Sequence, residues 1–393
     1  MASLWPQRIG VVTTSYPTSD ADPAGGFVAA HAAILRDEGN TLEIVAAASS
    51  QRLGPLAAPP ATHRIGSAGV FAQGGAPDAL EATSSWQQWQ QSALFSLRMA
   101  AAVARRQHRW DAVVAHWLAP SAMAALASRG PLLAIAHGGD VHLLHRLHLL
   151  TPTVAALAAR RARIVFVNRA AATLVKDTLP ARLARYLDDA ATVIPMGIAL
   201  DKFATIAQLR RSRPAASVPR IVVIARHVPI KGVDVMLEAL PFLPMAIRLQ
   251  LVGDGPQHAQ LQNQAAKLRA THPRHTIEFA GALAPAERDA ALANADLVVV
   301  PSRQLANGRS EGMPQVALEA LASGIPLVAT ATGGLADLPS PVMLCPSDAP
   351  QALADAIART LATPPTAAAC AAVADPFAWP SVHQRLRDHW FAD

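Results

Sequence analysis

Two glutamates eight residues apart bracket the segment Glu311-Gly-Met-Pro-Gln-Val-Ala-Leu-Glu319. Pro314 suits the first turn of a helix and Gly324 a position just past its end, so a helix is expected from Pro314 to Ala322. Glu311 then lies in the loop before the helix, and Glu319 about a turn and a half inside it. A helix start carries unpaired N–H donors and roughly half a positive charge, which together suit an anion. The donors here are those around Gly312, Met313 and Gln315, because Pro314 has no N–H. Carboxylates repel phosphate, so the two glutamates suit neutral hydroxyls such as those of sugars. A nucleotide sugar supplies both partners: a diphosphate for the helix end, and hexose and ribose hydroxyls for the glutamates. A second cluster, Arg226-His-Val-Pro-Ile-Lys231-Gly232, directly follows the apolar run Ile221 to Ala225. Arginine offers a planar fork and lysine a point charge, so the pair can converge on one polyanion at a strand's carboxyl end. Fixed cations in that place stabilise the charge of a departing diphosphate without a metal.

The elements that must position these residues follow from the apolar pattern. Short apolar runs alternate with Ala-rich amphipathic stretches, which is the pattern of βα units around buried parallel strands. The first half predicts strands at Arg8 to Thr14, Thr41 to Ala46, Ala112 to Ala115, Leu132 to Ala136, Ile164 to Val167 and Thr192 to Ile194, and helices at Phe27 to Glu38 and Trp86 to Arg106. Leu53 to Pro77, rich in Pro and Gly, reads as loop, and Asp201 to Pro219 as a linker without sustained periodicity. A second series then predicts strands at Arg220 to Ala225, Arg248 to Val252, Thr276 to Ala280, Leu297 to Val300 and Leu327 to Ala329, with helices between them. Phe377, Trp379, Trp390 and Phe391 make Asp375 to Asp393 too aromatic for a free tail, so that segment is expected to dock on the protein. The reading is α/β: domains at 1–200 and 220–374, a linker at 201–219, and a docking segment at 375–393. Both domains read as doubly wound, and two such sheets facing each other place their ligand-binding strand ends on the walls of one central cleft.

Composition narrows the function classes. At 393 residues the chain exceeds one ordinary core, and 51% hydrophobic with 16% charged residues excludes disorder. Apolar stretches such as Leu118 to Leu126 fall short of the ~18 to 20 residues that span a bilayer. Met1 to Pro17 lacks a signal-peptide layout, so a cytoplasmic location is expected. Cys345 and Cys370 alone exclude a disulfide framework and any multi-cysteine metal site. The net charge is +6, of which +5 falls in residues 1–200, where 17 basic residues face 12 acidic ones. A basic balance fits nucleic acid, an anionic membrane or a phosphorylated ligand. No basic stripe with interleaved aromatics or recognised module accompanies it, so a nucleic-acid partner is not expected.

Gly25-Gly26, His137-Gly-Gly-Asp140, Pro195-Met-Gly-Ile198, Arg226 with Lys231-Gly232, Gly253-Asp-Gly-Pro256, Glu311 with Glu319, and Gly333-Gly334 occur in an order that resembles family 4 of the retaining glycosyltransferases, which have the GT-B fold. Each motif is weak alone; together they span nearly the whole chain. The resemblance implies transfer of a hexose-type sugar from a nucleotide-diphosphate donor to a glycan, lipid-linked or small-molecule acceptor. It implies retention of anomeric configuration by front-face attack, with no cofactor and no metal. The first domain would take the acceptor and the second the donor. By position, Arg226 and Lys231 resemble the diphosphate pair, Glu319 the acid on the ribose, and Glu311 the acid on the hexose. Gly312, Met313 and Pro314 with Gly25 and Gly26 resemble the phosphate cradle, and Leu283 the position whose backbone meets the base. His137 resembles the histidine near the anomeric centre, with Asp140 on the same loop as a third catalytic candidate. The other chemistries open to a GT-B relative are those of a phosphorylase or a sugar-nucleotide epimerase.

The remaining signals stay open. The loop Ser302 to Ser310, basic through Arg303 and Arg309, reads either as a ligand contact or as a surface turn, and Asp337 fits only loosely the acidic residue the family often has after its glycine pair. His116-Trp117 either lines the acceptor cleft or packs. His142, His145 and His148 recur every third residue, but no acidic or cysteine partner joins them, and no metal is expected there. Trp86, Trp89, Leu94, Phe95 and Met99, with arginines nearby, read as core packing or as a peripheral contact with the cytoplasmic membrane face.

Overall fold

Runs of Val, Ile, Leu and Ala too apolar for a sheet with one wet face form two all-parallel sheets covered by helices. The computed structural model describes residues 7–18, 25–48, 60–66, 86–213 and 217–392. The chain divides into two compact units, residues 1–197 with 379–393, and residues 198–378. The first unit contains β1 (Arg8–Thr13), β2 (Thr41–Ala47), β3 (Ala61–Ile65), β4 (Ala112–His116), β5 (Leu132–Ala136), β6 (Arg163–Phe166) and β7 (Ala191–Val193), in the order β3-β2-β1-β4-β5-β6-β7. The second contains β8 (Arg220–Ile224), β9 (Arg248–Val252), β10 (Thr276–Gly281), β11 (Leu297–Val300), β12 (Leu327–Thr330) and β13 (Met343–Cys345), in the order β10-β9-β8-β11-β12-β13. Every residue of β4, β5, β11 and β12 is buried, as strands covered on both faces require. In each sheet the strand order reverses direction beside the first strand, between β1 and β4 and between β8 and β11. Ligands of doubly wound sheets bind outside the carboxyl ends at such switch points.

Three elements differ from the reading of the sequence. Part of the expected loop from Leu53 to Pro77 is strand β3, which pairs with β2 alone at the sheet edge; most of the rest lies outside the described residues. Thr62, His63 and Arg64 give β3 no apolar alternation, so its pairing is not legible in the sequence. The edge strand β13 was likewise not expected, being three residues long and paired only with β12. The expected linker from Asp201 to Pro219 instead opens with a helix, Leu200–Arg211, that buries Phe203 and Ile206 in the second unit's core. Arg213 closes that helix by pairing with Asp296 and donating to the Asn294 carbonyl.

The aromatic C-terminus forms the helix Trp379–Trp390, and Trp379, Val382, Leu386 and Trp390 pack with Val28, Leu35 and Ile194 in the first unit's core. Burying each such side chain contributes ~1.5 to 3 kcal/mol. Gly197 leaves room for this helix, since a Cβ there would lie 2.5 Å from the Trp379 ring. Both cysteines are buried and free, and burial pushes their thiols up to about 11. No helix among the described residues is long and apolar enough to cross a membrane. Trp86, Leu94 and Leu97 are exposed on the helix Trp86–Arg106, while Phe95 and Met99 are buried.

Candidate functional site

In the second unit the candidate residues gather on loops that leave the carboxyl ends of the strands. Arg226 lies exposed just after β8, and Lys231 ends a single helical turn, Pro229–Lys231, on the same loop. Gly232 follows with φ +61°, and a Cβ there would come within 1.9 Å of the Pro301 carbonyl. The absence of a side chain therefore lets the β8 loop lie against the end of β11. Lys231 forms an ion pair with Glu311. Ser302, buried after β11, donates its hydroxyl to the other Glu311 oxygen, Oε2, at 2.6 Å, and its own carbonyl accepts from Thr330 and Thr332 at the end of β12. The loop carrying Glu311 is held from behind by the glycine pair: the Gly334 N–H donates to the Gly312 carbonyl at 2.6 Å, and a Cβ on Gly334 would lie 2.0 Å from that oxygen.

The helix after this loop is Gln315–Ala322, with Pro314 as its N-cap rather than in its first turn. Pro314 at φ −59° and ψ 121° turns the chain into the helix, and the N–H groups that begin it come from Gln315 onward. Glu319, one turn in, is paired with Arg288 of the helix Pro285–Asn294. Burial lowers the Arg288 pKa. Leu283 sits between β10 and that helix, half-buried against the second unit's core with Met313. Arg303 is engaged by Asp234 at 3.0 Å and by Asp348 at 2.7 Å, and residues 304–309 close into a turn in which the Leu305 N–H donates to the Arg309 carbonyl. Asp337 is exposed at the end of the short helix Gly333–Asp337.

In the first unit the candidates cluster around imidazoles. Gly25 caps the helix Gly26–Asp37 with φ +73°, against the Ser15 carbonyl that follows β1. Phe27, in the first turn, faces His137, with ring centroids 4.8 Å apart. Trp117, after β4, lies at the same distance on the His137 ring. Trp117 has φ +74° and ψ 133°, a conformation that costs of order 1 to 3 kcal/mol outside glycine. His116, the last residue of β4, has no exposed surface, while His137, after β5, is half-buried. The His116 Nδ1 and His137 Nε2 are 3.1 Å apart, and the His116 Nε2 is 3.2 Å from the Nδ1 of His31. Burial lowers the pKa of all three, that of His137 to about 3, so the row is neutral at physiological pH.

Asp140 is fully buried in the first turn of the helix Gly139–Arg146. Its Oδ2 accepts the Leu118 N–H at 2.6 Å and its Oδ1 the His137 N–H at 3.0 Å, while burial pushes its carboxyl up to about 6. Both oxygens are thus occupied by backbone, which makes Asp140 a brace between the ends of β4 and β5. Of the periodic histidines, His145 faces Thr178 at 3.3 Å. Among the described residues the ligand-type atoms that converge are instead those of His227, Asp254 and His258, within 4.8 Å of one another. There the two Nδ1 atoms lie 3.0 Å apart between stacked rings, and the Gly255 N–H donates to Asp254 Oδ1 at 2.7 Å.

Aligned over 99% of this chain and 100% of the other, the structure superposes on that of HepE from Anabaena in complex with UDP and glucose, with a TM-score of 0.68 at 18% identity. It superposes equally, at a TM-score of 0.68 and 19% identity over 97% of this chain and 98% of the other, on sucrose-phosphate synthase from Thermosynechococcus elongatus. The fold is GT-B. Residues 218–363, within the second unit, match the family model of glycosyl transferases group 1. Among curated proteins, a GDP-mannose-dependent alpha-(1-6)-phosphatidylinositol monomannoside mannosyltransferase of Mycobacterium tuberculosis is 32% identical over 228 residues, 55% of each chain. A Bacillus subtilis protein named as a teichuronic acid biosynthesis glycosyltransferase is 29% identical over 261 residues, 63% of this chain. The chain spans 61% of the length of the Bacillus relative and 55% of the mycobacterial one.

Sequence reasoning missed Arg288, Ser302 and His31. Arg288 reads as one more exposed arginine of an Ala-rich helix, Ser302 as a loop residue, and His31 as a lone histidine on an apolar helix face. Each is brought to its partner across 31, 9 and 85 residues of chain, to Glu319, Glu311 and His116 respectively. The fold of one loop brings Ser302 to Glu311, and the packing of separate elements brings the other two pairs together.

Proposed function

We propose that this chain is a retaining glycosyltransferase of family 4, moving a hexose from a nucleotide-diphosphate donor to a glycan, lipid-linked or small-molecule acceptor. The observation that carries this reading is the Lys231–Glu311–Ser302 cluster beside the start of the helix Gln315–Ala322, inside the group 1 domain. Cation, carboxylate, hydroxyl and helix dipole on one set of strand ends match a ligand with a diphosphate at one end and sugar hydroxyls at the other.

In this mechanism Arg226 and Lys231 hold the diphosphate, and the N–H groups at the helix start add their partial positive charge. Donor binding draws Lys231 from Glu311 to phosphate, which frees the Glu311 carboxylate for hexose hydroxyls while Ser302 keeps it oriented. Glu319 accepts from the ribose, with Arg288 fixing its carboxylate. The bond from anomeric carbon to phosphate oxygen breaks as the acceptor oxygen attacks from the same face. The departing phosphate oxygen takes the acceptor's proton, so no enzymatic nucleophile is needed and no metal is required. His137 hydrogen-bonds the transferred sugar, and Gly25 and Gly26 leave room for the phosphates. Leu283 offers its backbone to the base. The HepE structures carry UDP and UDP-glucose, while the mycobacterial relative is named for GDP-mannose; the base is therefore what experiment must read.

The test is a thermal-shift screen of UDP, GDP, ADP and their sugars, followed by assay of nucleoside-diphosphate release with and without acceptors and anomeric analysis of the product. A ligand at 100 times its dissociation constant adds about 2.7 kcal/mol of stability. The expected outcome is a response to one base and a product of retained configuration. An inverted product sinks the retaining mechanism, and silence to every nucleotide sinks the reading as a whole.

A further inference from the structure

The His116 imidazole is hydrogen-bonded at both ring nitrogens, Nδ1 to His137 and Nε2 to His31, and none of its surface is exposed. The rings of His116 and His137 stack at 5.3 Å and 22°, and that of His31 lies 5.6 Å from Trp379 at 10°. A neutral imidazole has one N–H and one lone pair. A ring held between two others must therefore donate at one nitrogen and accept at the other, so both bonds of the row point the same way. Two arrangements satisfy this. In one, His31 Nδ1–H donates to His116 and His116 Nδ1–H to His137 Nε2, which places the His137 proton on Nδ1. In the other, His137 Nε2–H donates to His116 and His116 Nε2–H to His31, which leaves His137 Nδ1 a bare acceptor. Either way the Nε2 of His137 is committed inside the protein.

We propose that the row takes one of these two arrangements, and that His116, backed by His31, is thereby a positioning residue that holds His137 in a single tautomer and ring plane, presenting its Nδ1 to the transferred sugar. This rests on the reading of His137 given under the proposed function. The row is built for the task. Its members come from three elements, the helix Gly26–Asp37, the end of β4 and the loop after β5, so the ring planes are set by the fold. Phe27 and Trp117 pack on the His137 ring, and His116, its partner, has no exposed surface. The charged and titratable groups around the row are also tied down. Asp140 accepts the His137 backbone N–H, and beyond His31 the His383 Nε2 lies 2.8 Å from Glu38 Oε2, with Arg387 3.7 Å from the same carboxylate.

The test compares His116→Phe with His116→Gln in the full chain. Phenylalanine keeps a ring in the space but cannot hydrogen-bond; glutamine gives up the ring but can donate and accept at once. Nitrogen-15 NMR of histidine-labelled protein should show one tautomer for His137 in the wild type, a mixture in His116→Phe, and a single form regained in His116→Gln. With the nucleotide sugar found by the screen, kcat should fall 10- to 100-fold in His116→Phe, with donor KM unchanged, and recover in part in His116→Gln. If packing alone matters, phenylalanine is the better substitute and the order reverses, which overturns the proposal. A wild-type His137 of mixed tautomer also overturns it. Absence of transfer with every nucleotide sugar refutes the glycosyltransferase reading instead, and the NMR comparison then decides the tautomer claim by itself.

Discussion

At the strand ends of the first sheet, three imidazoles without charge are locked to one another and to aromatic rings. Strand ends of the second sheet carry charge: Lys231 against Glu311, Arg288 against Glu319, and Arg226 exposed beside them. The same parallel topology thus supports two electrostatic designs. Neutral hydrogen-bonded rings are satisfied internally, and burial keeps them so, because protonating any one of them places an uncompensated charge in an apolar surround. Under the proposed function the ion pairs are satisfied only until a ligand arrives. A ligand that brings its own phosphates and hydroxyls would then take over each partner, so these groups would be stable without the ligand and available to it. On that reading the first design holds geometry, and the second exchanges partners.

This contrast can be broken in several ways. Lys231→Ala carries the largest expected effect, because it removes a fixed cation where the diphosphate charge develops. kcat/KM should fall by roughly 10²- to 10³-fold, and nucleotide affinity with it; a variant within threefold of wild type would place the diphosphate elsewhere. Next is acid sensitivity, to which the imidazole row of the first unit contributes most, His227 and His275 of the second unit being lowered less by burial. His31, His116 and His137 have lowered pKa values in the fold, so below pH ~6.5 the unfolded chain binds three protons that the native state refuses. Asp140, pushed up to about 6, offsets one of them, since between about 6 and 4 the native state binds its proton first. The net of two protons predicts stability falling by up to about 2.7 kcal/mol per pH unit near pH 5, measured as urea midpoints across pH. Flat stability from pH 7 to 5 would show the row is not buried and neutral.

Arg288→Ala comes third. It leaves the Glu319 carboxylate, 15% exposed, without its partner, at a cost of about 1 to 3 kcal/mol. Bound nucleoside diphosphate should recover part of that loss if the ribose replaces the guanidinium, and equal loss with and without ligand would count against Glu319 as the ribose acid. Smallest of all is the effect of chelation. EDTA should leave the transfer rate unchanged, because Arg226, Lys231 and the helix start supply the positive charge. A rate that falls with EDTA and returns with a divalent cation would overturn the metal-free mechanism.

The sequence by itself determined the strands that are buried on both faces, because their unbroken Val, Ile, Leu and Ala runs have no other way to leave water. It also determined which loops gather at the strand ends of the second sheet, since Gly232, Gly333 and Gly334 mark places where backbones nearly touch, and Glu311, Glu319, Arg226 and Lys231 fall after strands. Edge strands β3 and β13 escaped it: short segments paired on one side carry too little apolar surface to announce themselves. The helix Leu200–Arg211 escaped too, its Leu200, Phe203 and Ile206 spacing lost in a basic, proline-bounded segment. What only the tertiary structure decided is partnership. Lys231, which reads in the sequence as a diphosphate cation, pairs with Glu311, Arg288 meets Glu319, and His31 and His116 form one row with His137. The physical reason is range. Strand and helix formation is written in neighbours a few residues apart, whereas ion pairs and imidazole rows act over about 3 Å of space between residues that only the fold makes adjacent.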